Sequence, residues 1–285
     1  QCLSAGIHVL VEKPLDVSVE GCREMIAAAD SGGLLLQVDF HKRYDPYHRE
    51  LHDMAASGCF GEILYGYAYM EDRIEVPRDW LRKWAAQTTP AWFLGVHLFD
   101  LIRWITGSEA QSVSATGVKK KLVSLGIDTY DAIQAKLVLR SGASFSVDVS
   151  WVLPEGHEGV VNQGIRVTGT DGMMEVDTQD RGARCCLRKP TDGRPQQGSG
   201  MQTPNLGFFR EGRDKLGRPR YSGYGIESIQ DFAENVSRLI GGGSLTDLHG
   251  TYANGRDGLE ASRIAVTVHR SMEAGGALVD VSRTL

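Results

Sequence analysis

The sequence contains no long hydrophobic run, and this lack excludes one class of protein. Its apolar runs span only a handful of residues, whereas a helix that crosses a bilayer needs about 20. No charged and then apolar leader precedes the first predicted strand. We therefore expect a protein that is neither inserted in a membrane nor secreted, and we predict a cytoplasmic location.

The sequence also has no excess of basic residues and no cysteine pair with the spacing of a zinc site. Lysine and arginine total 31 against 36 acidic residues, a formal net charge of −5, whereas nucleic-acid binders usually carry excess positive charge. The cysteines, Cys2, Cys22, Cys59, Cys185 and Cys186, are odd in number and show no C-x-x-C spacing of the kind that builds zinc sites. We predict no nucleic-acid partner, no metal site, and reduced thiols.

The first part of the chain predicts a strand–helix–strand unit. A β-branched run at residues 8–11 ends at the tripeptide Glu12-Lys13-Pro14, a helix capped by Ser18 follows, and a second apolar strand covers residues 34–40. Two strands joined by such a helix are parallel, and the crossover is right-handed. The sequence therefore begins with an α/β element.

Beyond residue 45 the period of the apolar residues changes from helical to alternating. Strands are predicted at residues 63–70, 112–118, 132–139, 144–152, 164–168, 173–176 and 277–281, and helices at 46–58, 92–107, 228–240 and 255–272. Short turns between the strands imply an open, mostly antiparallel sheet that is covered by helices on one face. We therefore divide the chain into a first domain, residues 1–45, and an α+β second domain, residues 46–285.

Residues 181–220 differ from both parts. They are rich in glycine, proline and arginine and carry few large apolar side chains, which is typical of a long ordered loop. Two interpretations stay open: a solvated surface insertion, or an arm that crosses a partner subunit or lines a cleft for an anionic ligand.

Lys13 is the first candidate for chemistry. It stands at the carboxyl end of a predicted parallel strand, where open α/β sheets bind their ligands. An ammonium group there can hydrogen-bond a substrate oxygen, stabilise developing negative charge, and help a proton move while a hydride leaves the same carbon. The alternative is a solvated loop lysine.

The second candidate is the predicted helix over residues 92–107, which brings His97 and Asp100 to one site at a spacing of three residues. A histidine with an ordinary pKa near 6.5 suits proton exchange, and the carboxylate can hold its orientation or raise its basicity. We also count Asp100 among the candidate substrate-binding residues. The alternative is a histidine buried in the core and an Asp100 that bridges the two domains. Metal binding by this pair lacks a third ligand.

Aromatic and basic side chains supply further candidates. Trp80, Trp84 and Trp92 lie in one short segment, and aromatic faces beside polar groups suit a sugar or polyol ring. The competing explanation is packing between domains. Arg43 and His41 follow the second strand, where they are placed to meet substrate or cofactor; alternatively, they only hold the hinge through nearby carboxylates.

Four motifs stand in order along the chain: AGIHVLVEKP at residues 5–14, RYDP at 43–46, GCFGEI at 58–63 and GVHLFD at 95–100. In this order and at these separations they resemble the Gfo/Idh/MocA family, the group of glucose–fructose oxidoreductase, inositol dehydrogenase and rhizopine catabolism proteins. The resemblance runs over nearly the whole chain and is weakest over residues 181–220.

The resemblance implies a Rossmann domain that binds NAD or NADP, followed by an α/β domain whose open sheet forms the interface of a homodimer or homotetramer. It implies that Lys13 and His97 act on the reacting hydroxyl group. It also implies that Glu12, Lys13, Pro14 and Arg43 contact the cofactor, and that the substrate is a small polyol or sugar.

Two departures from the family pattern stand out. The family commonly carries an aspartate four residues before its histidine, where this sequence has Phe93. No G-x-G-x-x-G loop precedes the strand at residues 8–11, although such a loop cradles the cofactor pyrophosphate. We therefore expect the first part to be a Rossmann remnant that lacks upstream sequence, and the chain as given to bind dinucleotide poorly.

These observations predict an NAD(P)-dependent oxidoreductase that transfers a hydride between nicotinamide and a sugar, cyclitol or related alcohol or ketone. His97 would act as general acid and base, and Lys13 would polarise the oxygen. The alternative is a non-catalytic ligand-binding or oligomerising protein that keeps the family fold, which Phe93 favours.

Overall fold

The computed structural model describes residues 1–177, 205 and 207–284, together with the backbone of two short strands at 185–186 and 201–202. The helices in this part of the chain are α1 (Val19–Gly32), α2 (Pro46–Ala56), α3 (Val96–Thr106), α4 (Lys121–Ser124), α5 (Tyr224–Ile240) and α6 (Gly255–Glu273). The strands are β1 (Val9–Val11), β2 (Leu36–Val38), β3 (Ile63–Arg73), β4 (Ala110–Val118), β5 (Ala132–Leu139), β6 (Ser144–Leu153), β7 (Val161–Gly169), β8 (Met173–Asp177), β9 (Cys185–Cys186), β10 (Met201–Gln202), β11 (Arg210–Arg213), β12 (Pro219–Ser222) and β13 (Val279–Asp280).

The amino-terminal unit has the predicted strand–helix–strand form. Strands β1 and β2 pair in parallel, with Val9 opposite Leu36, and α1 connects them. The Ser18 side chain caps α1 by accepting a hydrogen bond from the backbone N–H of Gly21 at 3.0 Å, which satisfies one of the free donors at a helix start. Both strands therefore end on the same side of the unit, where Lys13 follows β1 and His41 follows β2.

The second sheet has seven strands in the order β13-β4-β5-β6-β3-β7-β8. Its neighbours are antiparallel except for β3 and β6, which run parallel. The prediction of an open, mostly antiparallel sheet with helices is confirmed. The alternating pattern of apolar residues does not predict the parallel pairing of β3 with β6. These two strands are separated in the sequence by α3, β4 and β5, so no short turn connects them.

Helices cover one face of this sheet. Helix α3 packs against β3, α6 against β4, and α2 against β8. Helix α6 also packs against α1 and β2, and the N–H of Val38, the last residue of β2, donates to the Ala253 carbonyl at 2.9 Å. The amino-terminal unit is thus held against the helices that cover the sheet.

The other face of the sheet is polar. Tyr67 and Gln134 donate hydrogen bonds to the Asp148 carboxylate at 2.9 and 3.1 Å, and Tyr67 stacks on Tyr69. These side chains lie on three adjacent strands, so this face carries a connected row of polar and aromatic groups.

Most of the segment at residues 181–220, predicted as a loop or arm, lies outside the described residues. Its described end forms the hairpin of β11 and β12, in which Arg210 pairs with Ser222. No helix in the described part of the chain is long and apolar enough to cross a membrane.

A turn before β5 supports the segment that carries the site. The buried Asp131 carboxylate accepts hydrogen bonds from the backbone N–H groups of residues 120–122 at 2.6–2.7 Å. In the same turn, the Thr129 hydroxyl donates to the Thr88 carbonyl, just upstream of the π-helical turn Ala91–Gly95 that leads into α3.

We predict that Asp131→Ala lowers the free energy of unfolding by about 2–4 kcal/mol, because it leaves these backbone donors without their acceptor. The control is Asp128→Ala, which removes only an exposed ion pair with Lys119 and should cost less than about 1 kcal/mol. Urea unfolding followed by circular dichroism measures both. Equal losses for the two variants would contradict this role of Asp131.

Candidate active site

Lys13 lies at the carboxyl end of β1 and reaches across to the start of α3. Its Nζ atom donates a hydrogen bond to the backbone carbonyl of Phe93 at 2.8 Å and lies 4.3 Å from the centroid of the Phe93 ring. Burial lowers the pKa of Lys13, whereas the charges of Glu12, Asp72 and Asp39 oppose that change. Lys13 is therefore held at one place, unlike the solvated loop lysine of the alternative interpretation.

Glu12 and Pro14, the residues that flank Lys13, lie at the edge of the site. Glu12 is exposed, and its carboxylate accepts a hydrogen bond from the backbone N–H of Lys13 at 3.2 Å. Pro14 follows Lys13 through a cis peptide bond. Both residues border the site, at the end of β1.

His97 lies in the first turn of α3, four residues after Phe93, so the Lys13 contact is one helical turn from the imidazole. The side chain is only 5% exposed. Burial holds its pKa well below the usual 6.5, and the positive charges of Lys13, Lys42 and any protonated His41 add to the effect. Among the described residues its Nδ1 atom has no hydrogen-bond partner. The imidazole is therefore neutral at physiological pH and can accept a proton.

A cluster of aromatic and polar side chains surrounds His97. The His41 ring lies 4.8 Å from His97, 5.3 Å from Phe208 and 5.9 Å from Tyr224, between ring centroids. Burial, followed by the charges of Lys42 and Lys13, lowers the pKa of His41 to about 3. These contacts place the His41 ring at the site. Its predicted contact with substrate or cofactor stays a prediction.

Sequence reasoning missed Lys42 and Gln163. The Lys42 Nζ atom donates a hydrogen bond to the Gln163 side-chain carbonyl and lies 5.7 Å from the centroid of the Tyr224 ring. Lys42 follows β2, Gln163 lies on β7, and Tyr224 begins α5. These residues are far apart in the sequence, and no local pattern connects them.

Asp72 is a further residue that the sequence analysis missed. It lies near the end of β3, is 2% exposed, and has no hydrogen-bond partner for its Oδ2 atom among the described residues. Burial raises its pKa to about 7, whereas Lys13, the Trp151 indole and Lys42 act in the opposite direction. The available signal was a carboxylate at an inward position of β3, in register with the buried Ala68 and Met70.

Arg43 and Asp100 bind each other. The guanidinium donates to the two Asp100 carboxylate oxygens at 2.5 and 2.8 Å, and a third oxygen, from Asp257, lies 3.3 Å away. Because Asp100 has no exposed surface, the geometry gives no support to substrate binding by this residue. The pair joins the end of β2 to α3, which matches the bridging alternative for Asp100.

The tryptophans do not share one location. Trp84 lies beside Phe93, with 5.9 Å between ring centroids, and so borders the Lys13 site. Trp92 instead stacks on His269 of α6 at 5.7 Å, a packing contact. Trp80 is 54% exposed. The structure thus brings only Trp84 of the three toward Lys13.

Comparison with known proteins bears on this geometry. The model of the oxidoreductase family with an NAD-binding Rossmann fold matches residues 1–40, and the GFO/IDH/MocA C-terminal domain matches residues 48–175. The chain belongs to the Gfo/Idh/MocA family. The two matches follow one another in the order that the motifs had indicated.

Two curated relatives align over nearly the whole chain. The uncharacterized oxidoreductase YrbE of Bacillus subtilis is 27% identical over 280 residues, which cover 96% of this chain and 72% of the relative. A myo-inositol dehydrogenase of Streptomyces leeuwenhoekii is 26% identical over 281 residues, 97% of this chain and 75% of the relative. This chain spans about half to three quarters of the length of the curated relatives that it matches.

A solved structure shows the same fold. The scyllo-inositol dehydrogenase of Lactobacillus casei, with bound NAD(H) and scyllo-inositol, has a TM-score of 0.67 and 19% identity, and the match covers 98% of this chain and 75% of that one. The fold of this Gfo/Idh/MocA protein is therefore that of known family structures.

Phe93 occupies the position at which the family resemblance implies an aspartate. Its ring cannot ionise, but its backbone carbonyl and ring face both contact the Lys13 ammonium, and cations bind favourably to such faces. The phenylalanine thus keeps Lys13 in place without supplying a carboxylate.

The Arg43 contacts predict that Asp100→Ala lowers the free energy of unfolding by about 3 kcal/mol, because a buried guanidinium loses its main partner. Asp257→Ala is the matched control, since this carboxylate is more exposed and farther from Arg43, and about 1 kcal/mol is expected. Denaturant unfolding gives both values. Unchanged stability of Asp100→Ala with weakened ligand binding would instead indicate a ligand contact.

The environment of His41 predicts a pH effect on stability. Its pKa is about 3 in the folded protein and near 6.5 when unfolded, so the unfolded chain binds the proton first as pH falls below 6.5. The stability of the fold therefore decreases with acidification, by about 2 kcal/mol from this group between pH 7 and pH 5.

His41→Gln should remove that part of the acid sensitivity, as measured by urea unfolding at pH 7 and pH 5. His249→Gln, at an exposed position, should leave it unchanged. An identical pH dependence in His41→Gln and the unsubstituted protein would contradict the prediction.

Proposed function

We propose that this protein is part of an NAD-dependent oxidoreductase that interconverts a CH–OH group and a carbonyl group of a cyclitol or sugar. One observation carries the proposal: the Lys13 ammonium contacts Phe93, one helical turn from the neutral imidazole of His97. A hydrogen-bond donor for the substrate oxygen and a base for its proton thus belong to the same site.

The chemistry follows from the charge of each group. In the oxidation direction, the neutral His97 imidazole accepts the hydroxyl proton, and Lys13 donates a hydrogen bond that stabilises negative charge on the oxygen. Bound NAD would supply the acceptor for the hydride that leaves the same carbon. In the reduction direction, His97 returns the proton to the carbonyl oxygen.

The amino-terminal unit fits the nicotinamide end of the cofactor. The carboxyl ends of the parallel strands β1 and β2 open toward His97, which is the place where α/β sheets bind ligands, and Asp39 offers a buried Oδ1 atom without a partner among the described residues. Glu12, Lys13 and Pro14 are the residues there that would contact the cofactor. We propose NAD because the matching family model is described as NAD-binding.

The residues around His97 also suit a polyol. The Phe208 ring is 42% exposed and offers an apolar face beside His41, and such faces suit a sugar-like ring. Tyr224, Lys42 and Gln163 are buried around it. The names of the relatives support a cyclitol, since they include a scyllo-inositol dehydrogenase of Bacillus subtilis and the myo-inositol dehydrogenase of Streptomyces leeuwenhoekii.

We further propose the arrangement of the assembly. Residues 1–45 would carry the cofactor and residues 46–285 the substrate. The polar face of the seven-stranded sheet, with Tyr65 half exposed, would form the interface of a homodimer or homotetramer. The free thiols of Cys2, Cys22 and Cys59 suit a reducing cytoplasm.

Lys13→Met in the full-length protein should lower kcat about 10²- to 10⁴-fold with little change in NAD affinity, because it removes the donor to the substrate oxygen and keeps the chain length. Lys119→Met, at a partly exposed lysine after β4 that pairs with the exposed Asp128, is the control. The assay follows the absorbance of reduced nicotinamide with myo-inositol, scyllo-inositol and glucose.

Unchanged kcat in Lys13→Met would refute the catalytic role of this residue. An unsubstituted full-length protein that binds NAD and a polyol, and yet never changes the nicotinamide absorbance, would support the non-catalytic alternative instead.

A further inference from the structure

Asp72 lies in the second sheet at a point that faces the Lys13 site. In the pairing of β3 with β7 it stands opposite Val161, and Gln163 is opposite Met70, so Asp72 and Gln163 project from the same face, two positions apart. On the other side, the bulge in the β3–β6 pairing leaves Asp72 opposite Trp151 and Val152, between the pairs Glu71–Ser150 and Arg73–Leu153. The Trp151 ring lies 5.6 Å from that of Phe93.

The Asp72 carboxylate is buried where the charges of two lysines act on it. These are Lys13, after β1, and Lys42, after β2, and the Trp151 indole of β6 acts in the same direction. A buried carboxylate without a hydrogen-bond partner on one oxygen is costly. The two cations and the indole offset part of that cost, so the charge of Asp72 is coupled to these lysines.

Lys13 in turn needs a negative charge. The Phe93 carbonyl accepts one hydrogen bond from Nζ but carries no net charge. The acidic side chains that act on Lys13 are Glu12, Asp72 and Asp39, of which Glu12 has the largest effect and is exposed. Asp72 is the carboxylate among them that approaches from the second sheet, on the side of His97 and Gln163.

We propose that Asp72 is the positioning residue of the Lys13 site, and that its carboxylate takes the part of the aspartate that position 93 lacks. Its negative charge keeps Lys13 protonated and directed toward the substrate oxygen, although Asp72 itself need not touch substrate. This inference rests on the proposed function and names a buried carboxylate that acts on the charge of its key lysine.

The pKa of Asp72, raised by burial to about 7, supports an effect of its charge on the protonation of Lys13. As pH rises through that value, Asp72 loses its proton and becomes negative, so the ammonium form of Lys13 is favoured above pH 7. From α3, His97 interacts with the charge of Lys13, and burial keeps its imidazole neutral over this range.

The test measures the charge of Lys13 directly, in the chain of 285 residues. Acetic anhydride acylates only the neutral amine, so the rate of Lys13 acetylation against pH, read by mass spectrometry, gives its apparent pKa. Asp72→Asn should lower the apparent pKa of Lys13 by about one unit. Below that pKa, Lys13 should then be acetylated roughly tenfold faster at a given pH. Asp72→Glu should restore the original profile.

The matched control is Asp148→Asn, on the polar face of the same sheet, which should leave the Lys13 profile unchanged. A profile that does not move in Asp72→Asn overturns the proposal, as does an equal shift in Asp148→Asn. Circular dichroism verifies that each variant is folded.

A second measurement applies if Asp72→Asn does not fold. The carboxyl ¹³C resonance of Asp72 is titrated in the unsubstituted chain and in Lys13→Met. Loss of the cation should raise the Asp72 midpoint by about one pH unit, and an unchanged midpoint overturns the proposal. Neither experiment uses NAD or turnover, so an inactive protein with coupled Lys13 and Asp72 would refute only the proposed function.

Discussion

The hydrogen bond from the Lys13 ammonium to the Phe93 carbonyl connects the two parts of the molecule at the site. A partly buried cation must be held by specific acceptors, and here the acceptors belong to the turn that leads into α3. The Arg43–Asp100 pair holds the end of β2 against the same helix. Both contacts fix the strand–helix–strand unit against α3, and the position of His97 relative to Lys13 depends on them.

Burial is the main reason why His97 is neutral. The positive charges of Lys13 and Lys42, which follow two neighbouring strands, lower the pKa of the imidazole further. A neutral base beside an ammonium group suits the transfer of a carbinol proton. The acid sensitivity of the fold has the same origin, because His41 and His97 are neutral when folded and would be charged in an unfolded chain below pH 6.5.

Much of the fold could be predicted from the sequence, because β1, α1 and β2 have clear local patterns, and the alternation of the later strands is strong. Lys13 and His97 were found because each lies at the end of a recognisable element. Asp72, Lys42 and Gln163 were missed, since their meeting depends on the pairing of β3 with β7 and on the approach of β2. The partnership of Arg43 with Asp100 was missed for the same reason: the two residues are 57 positions apart.

The most direct test of the central claim is a crystal structure of the full-length protein at high resolution. The account predicts that the Lys13 Nζ atom lies within hydrogen-bond distance of the Phe93 carbonyl oxygen, with the buried His97 ring one helical turn away. A Lys13 side chain that points into solvent, or a His97 ring on the far side of α3, would contradict it.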